Sequence, residues 1–225
     1  MSAVDNADLN FETIRDICAR HGARLVAVSK TQAPERLLPL YAQGQRSFGE
    51  NRVQELMSKR MEMPHDVEWH LIGSLQRNKV KYIAPFIAMI HSVTGEALLR
   101  EIDRHAGLVG RTIPCLLQIH IAREETKAGL TPDEARALAL ALAANPLPHV
   151  RIEGLMGMAT FTNDMAQIRA EFRSLRRLFE SLRDEQFAQH PHFRELSMGM
   201  SGDWEIALDE GATLVRIGSL LFGSR

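Results

Sequence analysis

Short apolar runs alternate along this chain with amphipathic stretches in which apolar residues recur at helical spacing. The first run, Ala-Arg-Leu-Val-Ala-Val-Ser-Lys at 23–30, is rich in strand-forming residues, and a typical helix start, Ala-Pro-Glu at 33–35, follows almost at once. This order predicts a buried parallel strand that leads into a helix. The same pattern predicts seven further strands, each but the last followed by a helix, at 46–49, 67–74, 88–93, 113–121, 151–158, 195–198 and 213–217.

Repeated strand–helix units of this kind close naturally into a barrel, because their crossover connections are right-handed. The predicted fold is therefore α/β, a (β/α)8 barrel of the TIM type. An extra helix at its N-terminus is predicted by apolar residues at 11, 14, 17 and 18. An open doubly wound sheet is the alternative, but eight parallel strands in 225 residues favour closure. The length predicts one domain over 1–225.

Composition narrows the class of protein further. The net charge is −1 with acidic and basic residues interspersed, which argues against a nucleic-acid or membrane surface. Cys18 and Cys115 lack metal or redox spacing and are predicted to be reduced, buried thiols. The first ten residues are polar and unlike a signal peptide, and no apolar run approaches the length of a membrane span. The expected location is the cytoplasm.

A lysine and an asparagine stand where two predicted strands end, at the edge where barrels carry out their chemistry. Lys30 follows the first strand, and a lysine at the mouth of an apolar core is partly desolvated, which favours its neutral, nucleophilic form. It is either a Schiff-base lysine or the solvated end of the strand. Asn51 follows the second strand and could equally cap the next helix.

Two glycine-containing turns follow the last two predicted strands. The loop at 197–203 contains Ser201 and opens onto a helix, and the segment at 216–219 supplies a cation in Arg216, a bare backbone at Gly218 and a hydroxyl in Ser219. Loops after strands seven and eight are the usual phosphate cradle of barrels. Asp203 would repel a phosphate and is predicted instead to cap the helix and point away.

Three histidines, His70, His91 and His120, lie within or near the ends of predicted strands. Their positions show no metal-ligand spacing, and no metal is predicted. His70 lies inside a strand, where a histidine with a core hydrogen bond is more common than a base. The residues alone assign no role to the three.

Seven stretches carry a resemblance to the pyridoxal phosphate homeostasis protein family, single-domain relatives of the barrel domain of bacterial alanine racemases. The similarity covers about 24 to 223, nearly the whole chain. The stretches are VAVSKT at 26–31, FGENRVQE at 48–55, WHLIGSLQRNK at 69–79, ETKAG at 125–129, GLMGM at 154–158, LSMGMSGD at 196–203 and VRIGS at 215–219.

The resemblance implies a cofactor, pyridoxal 5′-phosphate (PLP), and a role for each strand-end residue. It places the Schiff base on Lys30, the phosphate on Ser201, Gly218 and Ser219, the pyridine nitrogen opposite Arg216, and the 3-hydroxyl side near Asn51. It further implies a protein that buffers PLP or delivers it to PLP-dependent apo-enzymes without robust catalysis, although residual racemase-type activity is compatible with it. The sequence leaves the oligomeric state open, and a monomer is expected.

Two enzymatic functions are alternatives to this role in PLP buffering and delivery. An amino-acid racemase would need a second base, which in the racemases is a tyrosine from another domain, whereas Tyr41 and Tyr82 here lie on predicted helices of the outer ring. A Schiff-base aldolase acting on a phosphorylated sugar would need acid/base residues around its lysine, and only Glu50 and the histidines come into question.

Overall fold

Eight parallel strands close into a barrel in sequence order, which confirms the predicted fold. The computed structural model describes residues 10–124 and 128–223. The strands are β1 (Arg24–Val28), β2 (Ser47–Glu50), β3 (Glu68–Leu71), β4 (Met89–Val93), β5 (Ile113–Ile119), β6 (Val150–Gly157), β7 (Glu195–Ser197) and β8 (Leu214–Ile217). Three residues of the ETKAG stretch, 125–127, lie outside the described residues, as do 1–9 and 224–225.

Helices follow the strands and form the outer ring. They are α1 (Phe11–Arg20), α2 (Pro34–Ala42), α3 (Val53–Glu62), α4 (Val80–Ile83), α5 (Glu96–Leu108), α6 (Pro132–Ala144), α7 (Met165–Glu185), α8 (Trp204–Asp209) and α9 (Ser219–Phe222). The prediction that no helix follows the last strand is wrong, because α9 follows β8 directly. At four residues, α9 is too short for helical periodicity to reveal.

The N-terminal helix forms as predicted. Its first turn is capped by Asn10, whose side chain accepts the Thr13 N–H at 2.9 Å. Its buried residues are the four predicted apolar positions, Phe11, Ile14, Ile17 and Cys18, and this face packs against β1. Cys18 and Cys115 are both buried and free, as expected.

The barrel interior is divided between an apolar layer and a polar one. The apolar layer consists of Val26, Met89, Leu116, Met156 and Leu214. The interior also holds buried polar side chains, those of His70, His91, Ser197 and Arg216. Met156 of the GLMGM stretch is fully buried in the apolar layer and Met158, partly buried, packs against it, so both methionines fill the barrel.

A bulge in β6 explains one glycine of the resemblance. Cys115 pairs with Ile152 and Leu116 pairs with Gly154, so the residue between Ile152 and Gly154 is extra. Gly154 has φ +153°, and a Cβ there would lie 1.8 Å from the carbonyl oxygen of Glu195 on β7. Only glycine fits this approach of two strands.

Among the described helices, none has both the length and the apolar character needed to cross a membrane.

Candidate functional site

Lys30 lies in a tight turn after β1 and not on the strand itself. Ser29 O accepts the Gln32 N–H at 3.0 Å, so Lys30 and Thr31 are the two central residues of the turn. Thr31 has φ +64°, a conformation that is an outlier for a β-branched residue and costs on the order of 1–3 kcal/mol. The Lys30 side chain is exposed, so the desolvation expected from the sequence is absent.

A buried charged cluster holds this turn from below. The Thr31 N–H donates to Glu55 Oε1, and Lys59 Nζ donates to three oxygens: Ser29 O at 2.6 Å, Glu50 Oε1 at 2.6 Å and Glu55 Oε1 at 2.7 Å. The ammonium group thereby uses all three of its N–H donors. We call Glu50, Glu55 and Lys59 the charged clamp.

Glu50 is fully buried at the end of β2. Burial raises the pKa of its carboxyl group, while the hydrogen bonds from Lys59 and from the Ser29 hydroxyl, the latter at 2.6 Å, act in the opposite direction. Its second oxygen, Oε2, has no hydrogen-bond partner among the residues that the structure describes. Glu50 is therefore part of the support beneath Lys30.

The loops after β7 and β8 meet as predicted. The Gly218 N–H donates to Ser201 Oγ at 3.2 Å, and Ser219 begins α9, whose first N–H groups lack partners within the helix. A Cβ on Gly218 would lie 3.1 Å from Val28 O, so the glycine permits close approach to β1. Gly218 was expected to leave its backbone bare for a bound anion, whereas in the structure a side chain at this position would point at β1.

The two predicted helix caps are not formed. Asp203 makes no capping hydrogen bond to α8; its Oδ1 accepts the Met200 N–H at 2.5 Å within the loop. Asn51 does not cap α3 either, because Arg52 occupies the N-cap position. Asn51 lies instead in the turn between β2 and α3, where a Cβ on Gly73 would lie 2.4 Å from its carbonyl oxygen. The absence of a side chain on Gly73 therefore lets the backbone of Asn51 approach closely.

Arg216 ends a chain of buried hydrogen bonds across the barrel. Its Nη1 donates to Ser197 Oγ at 2.6 Å and its Nη2 to Gly157 O at 2.9 Å. Ser197 Oγ lies 3.0 Å from His91 Nδ1, and His91 Nε2 lies 2.8 Å from His70 Nδ1. Because a guanidinium only donates, Ser197 Oγ accepts from Arg216 and its own proton is free for His91 Nδ1; in the tautomer that accepts this proton, His91 donates from Nε2 to His70.

This order of donors requires both histidines to be neutral. Burial lowers the pKa of His70 to about 3, and burial is also the main cause that lowers the pKa of His91. Burial also lowers the pKa of Arg216 to about 10, with Asp203 opposing, so the guanidinium stays charged at neutral pH. His70 is a core histidine, as expected, and His91 is another.

The six predicted site residues lie on four adjacent strand ends, in the order β7, β8, β1 and β2. β1 pairs with β8 through Ala27 and Ile217, and with β2 through Val28 and Gly49. This neighbourhood places an amine, a buried cation and backbone N–H and hydroxyl donors at one side of the mouth, a set suited to an anionic aldehyde. The residues concerned are Ser201, Arg216, Gly218, Ser219, Lys30 and Asn51.

His120 stands apart from that group, half-buried after β5. No group of histidine, cysteine, aspartate and glutamate side chains within the described residues could hold a metal ion.

The roles of the charged clamp and of Ser197 were not predicted from the sequence. A signal for Lys59 exists, since Val53, Leu56 and Lys59 share the buried face of α3, where an apolar residue would be expected at 59. Ser197 offers no comparable signal.

Comparisons with known proteins agree with the barrel fold and identify the family. The family model for the alanine racemase N-terminal domain matches residues 3–225. A pyridoxal phosphate homeostasis protein of Aquifex aeolicus (strain VF5) is 39% identical over 231 residues, covering 100% of this chain and 99% of the relative.

Two solved structures of PipY from Synechococcus elongatus PCC7942 are also similar. The structure without PLP has 38% identity and a TM-score of 0.85, and covers 94% of this chain and 99% of PipY. The structure with PLP bound has 38% identity and a TM-score of 0.83, and covers 93% and 99%. The chain therefore belongs to the pyridoxal phosphate homeostasis protein family, which shares the fold of the alanine racemase N-terminal domain.

Proposed function

We propose that this chain binds PLP at the mouth of its barrel, with Lys30 as the point of covalent attachment. The observation that carries the proposal is the convergence of amine, cation and anion-binding loops on four adjacent strand ends. The PLP-bound structure of PipY supports it. When bound, PLP would supply an aldehyde carbon that bonds to the Lys30 nitrogen and loses its oxygen as water.

Each described residue has a task that suits its surroundings. Ser201 and Ser219 supply hydroxyl groups and the start of α9 supplies N–H groups, a combination suited to phosphate. Arg216 is held rigidly by Ser197 and the Gly157 carbonyl, so it can present a fixed positive charge to the pyridine nitrogen. Asn51 is assigned to the 3-hydroxyl side of the ring.

The role proposed for the loaded protein is to buffer a reactive aldehyde and deliver it to PLP-dependent apo-enzymes, without robust turnover. The relatives are named for homeostasis, which agrees with that role. A single barrel domain acting as a monomer in the cytoplasm completes the proposal.

The racemase alternative lacks support for its second base. The Tyr41 hydroxyl donates to Asp66, which precedes β3 and so lies toward the opposite end of the barrel, and Tyr82 lies on α4. A charged guanidinium opposite the pyridine nitrogen, in place of a carboxylate, would also make the ring a weaker electron sink.

The proposal is tested by incubating the protein with PLP, reducing with borohydride and mapping the labelled peptide. We expect the label on Lys30 alone, and we expect Lys30→Ala to abolish it while weak phosphate-dependent binding persists. Lys81→Ala, which removes an exposed lysine of α4, serves as the control. A label spread over surface lysines, or found in Lys30→Ala at the wild-type level, would contradict the proposal.

A further inference from the structure

We infer that the charged clamp is a positioning device that holds the Lys30 turn in its reactive conformation, an inference that rests on the proposed function of Lys30. The clamp lies directly beneath the turn and binds it on both sides of the lysine. Lys59 Nζ holds the carbonyl of Ser29, and Glu55 Oε1 holds the N–H of Thr31. Lys30 itself makes no part of these bonds, so its amine is left at the mouth.

The conformation of Thr31 shows why the turn needs support. Its φ of +64° belongs to the left-handed region that glycine adopts readily and β-branched residues avoid. Without an acceptor for the Thr31 N–H, the residue would relax toward negative φ and carry Lys30 with it. The hydrogen bond to Glu55 is therefore what makes threonine acceptable at this position.

Stability alone is a poor explanation for the clamp. Lys59 and Glu50 are both buried, and a buried ion pair is often no better for stability than apolar residues of similar size. The position of Lys59 on the apolar face of α3 would suit a methionine or leucine. What an apolar side chain could not supply is three directed hydrogen bonds, one of which reaches the backbone of the turn.

The first test removes the Glu55 carboxylate that accepts the Thr31 N–H, and then replaces Thr31 by glycine, which needs no such acceptor. Glu55→Ala should slow covalent capture of PLP by roughly tenfold, because the turn spends less time in the reactive conformation. Thr31→Gly in the same background should restore most of the lost rate, since glycine adopts positive φ without support. Binding of pyridoxine 5′-phosphate, which has no aldehyde, should be unchanged in both. Glu35→Ala, an exposed glutamate in the first turn of α2, is the matched control.

The second test works without any PLP chemistry. Reductive methylation of the PLP-free protein with formaldehyde, followed by peptide mapping, measures how Lys30 is presented relative to the surface lysines. Glu55→Ala should alter the Lys30 rate selectively, and the added Thr31→Gly should return it toward wild type. Thermal unfolding of each variant verifies that it is folded.

The outcomes separate the clamp from the proposed function. Capture by Glu55→Ala at the wild-type rate would overturn the inference, and so would a slowed rate that Thr31→Gly does not restore. If the wild-type protein captures no PLP at all, the proposed function is wrong, and the methylation rates still decide the clamp: selective change with rescue supports it, and an unchanged Lys30 rate overturns it.

Discussion

Acidification should destabilise this protein through its two buried histidines, and the size of the effect follows from their surroundings. An unfolded histidine takes up its proton around pH 6.5. In the folded protein, burial lowers the pKa of His70 to about 3, and the pKa of His91 is lowered as well. As pH falls below about 6.5, the unfolded state therefore binds protons that the folded state refuses, and stability is lost down to the folded-state pKa values.

Each neutral histidine contributes a slope of about 1.4 kcal/mol per pH unit within that window. Two units of acidification, to about pH 4.5, would thus cost roughly 2–3 kcal/mol through His70 alone, and His91, whose pKa is also lowered by burial, adds to that loss. Glu50 works in the opposite direction, because its pKa is raised by burial and its protonation relieves the folded state. The wild-type profile is consequently a sum, and a variant is needed to isolate one histidine.

His91→Gln is that variant, since a glutamine amide can still donate to His70 and does not titrate. Urea unfolding at about pH 6.5, 5.5 and 4.5 gives the free energy of unfolding for each protein. We expect the slope of the variant to be lower than that of wild type by about 1.4 kcal/mol per pH unit. His65→Gln, at an exposed histidine, is the control. Parallel profiles for wild type and His91→Gln would refute the argument, because they would mean that His91 is protonated in the folded protein.

Three further outcomes are expected. Lys59→Met should lower the free energy of unfolding by about 3–5 kcal/mol, because it leaves the buried Glu50 carboxylate without its ion-pair partner. Urea unfolding of the double variant with Glu50→Gln should show much of this loss recovered, and no recovery would mean that the carboxylate is not the cause. Gly154→Ala should lower the free energy of unfolding by about 2–4 kcal/mol, since its Cβ would lie 1.8 Å from a carbonyl oxygen of β7. Gly110→Ala, whose Cβ would have nothing within 4 Å, should lower it by only about 1 kcal/mol, and equal losses for the two variants would contradict the packing explanation. PLP-loaded protein given L-alanine should form D-alanine far more slowly than about 1 per second, and faster turnover that disappears in Lys30→Ala would favour the racemase.

The fold was accessible from sequence because its signal is local and repeated. Each βα unit shows its own apolar run and its own amphipathic stretch, and the strand boundaries agree with the structure to within a few residues. The exception is α9, whose single turn carries no periodicity. β1 likewise ends at Val28, so Lys30 belongs to a turn whose positive φ at Thr31 no sequence pattern announces.

The strand-end residues could be predicted from the sequence for a topological reason, but the residues that hold them in place could not. Barrel closure brings Lys30, Arg216 and Gly218 to neighbouring strand ends whatever their separation in sequence. By contrast, the partners of Arg216 and of the Lys30 turn depend on side-chain directions inside the barrel and beneath the turn. Ser197 and His91, 106 residues apart, are joined only by the packing of β4 against β7 across the interior.

The buried chain through Ser197 has a consequence for how this sequence can diverge. Ser197 is a partner of Arg216 on one side and of His91 on the other, so replacing it by alanine would remove one hydrogen bond from each of these two buried side chains. An apolar residue in place of either histidine would break the chain of hydrogen bonds in the same way. Paths that replace a member by a side chain without a matching donor or acceptor therefore pass through a destabilised intermediate, and single changes at these four positions are expected to be limited to replacements that keep the hydrogen bond, such as glutamine for His91.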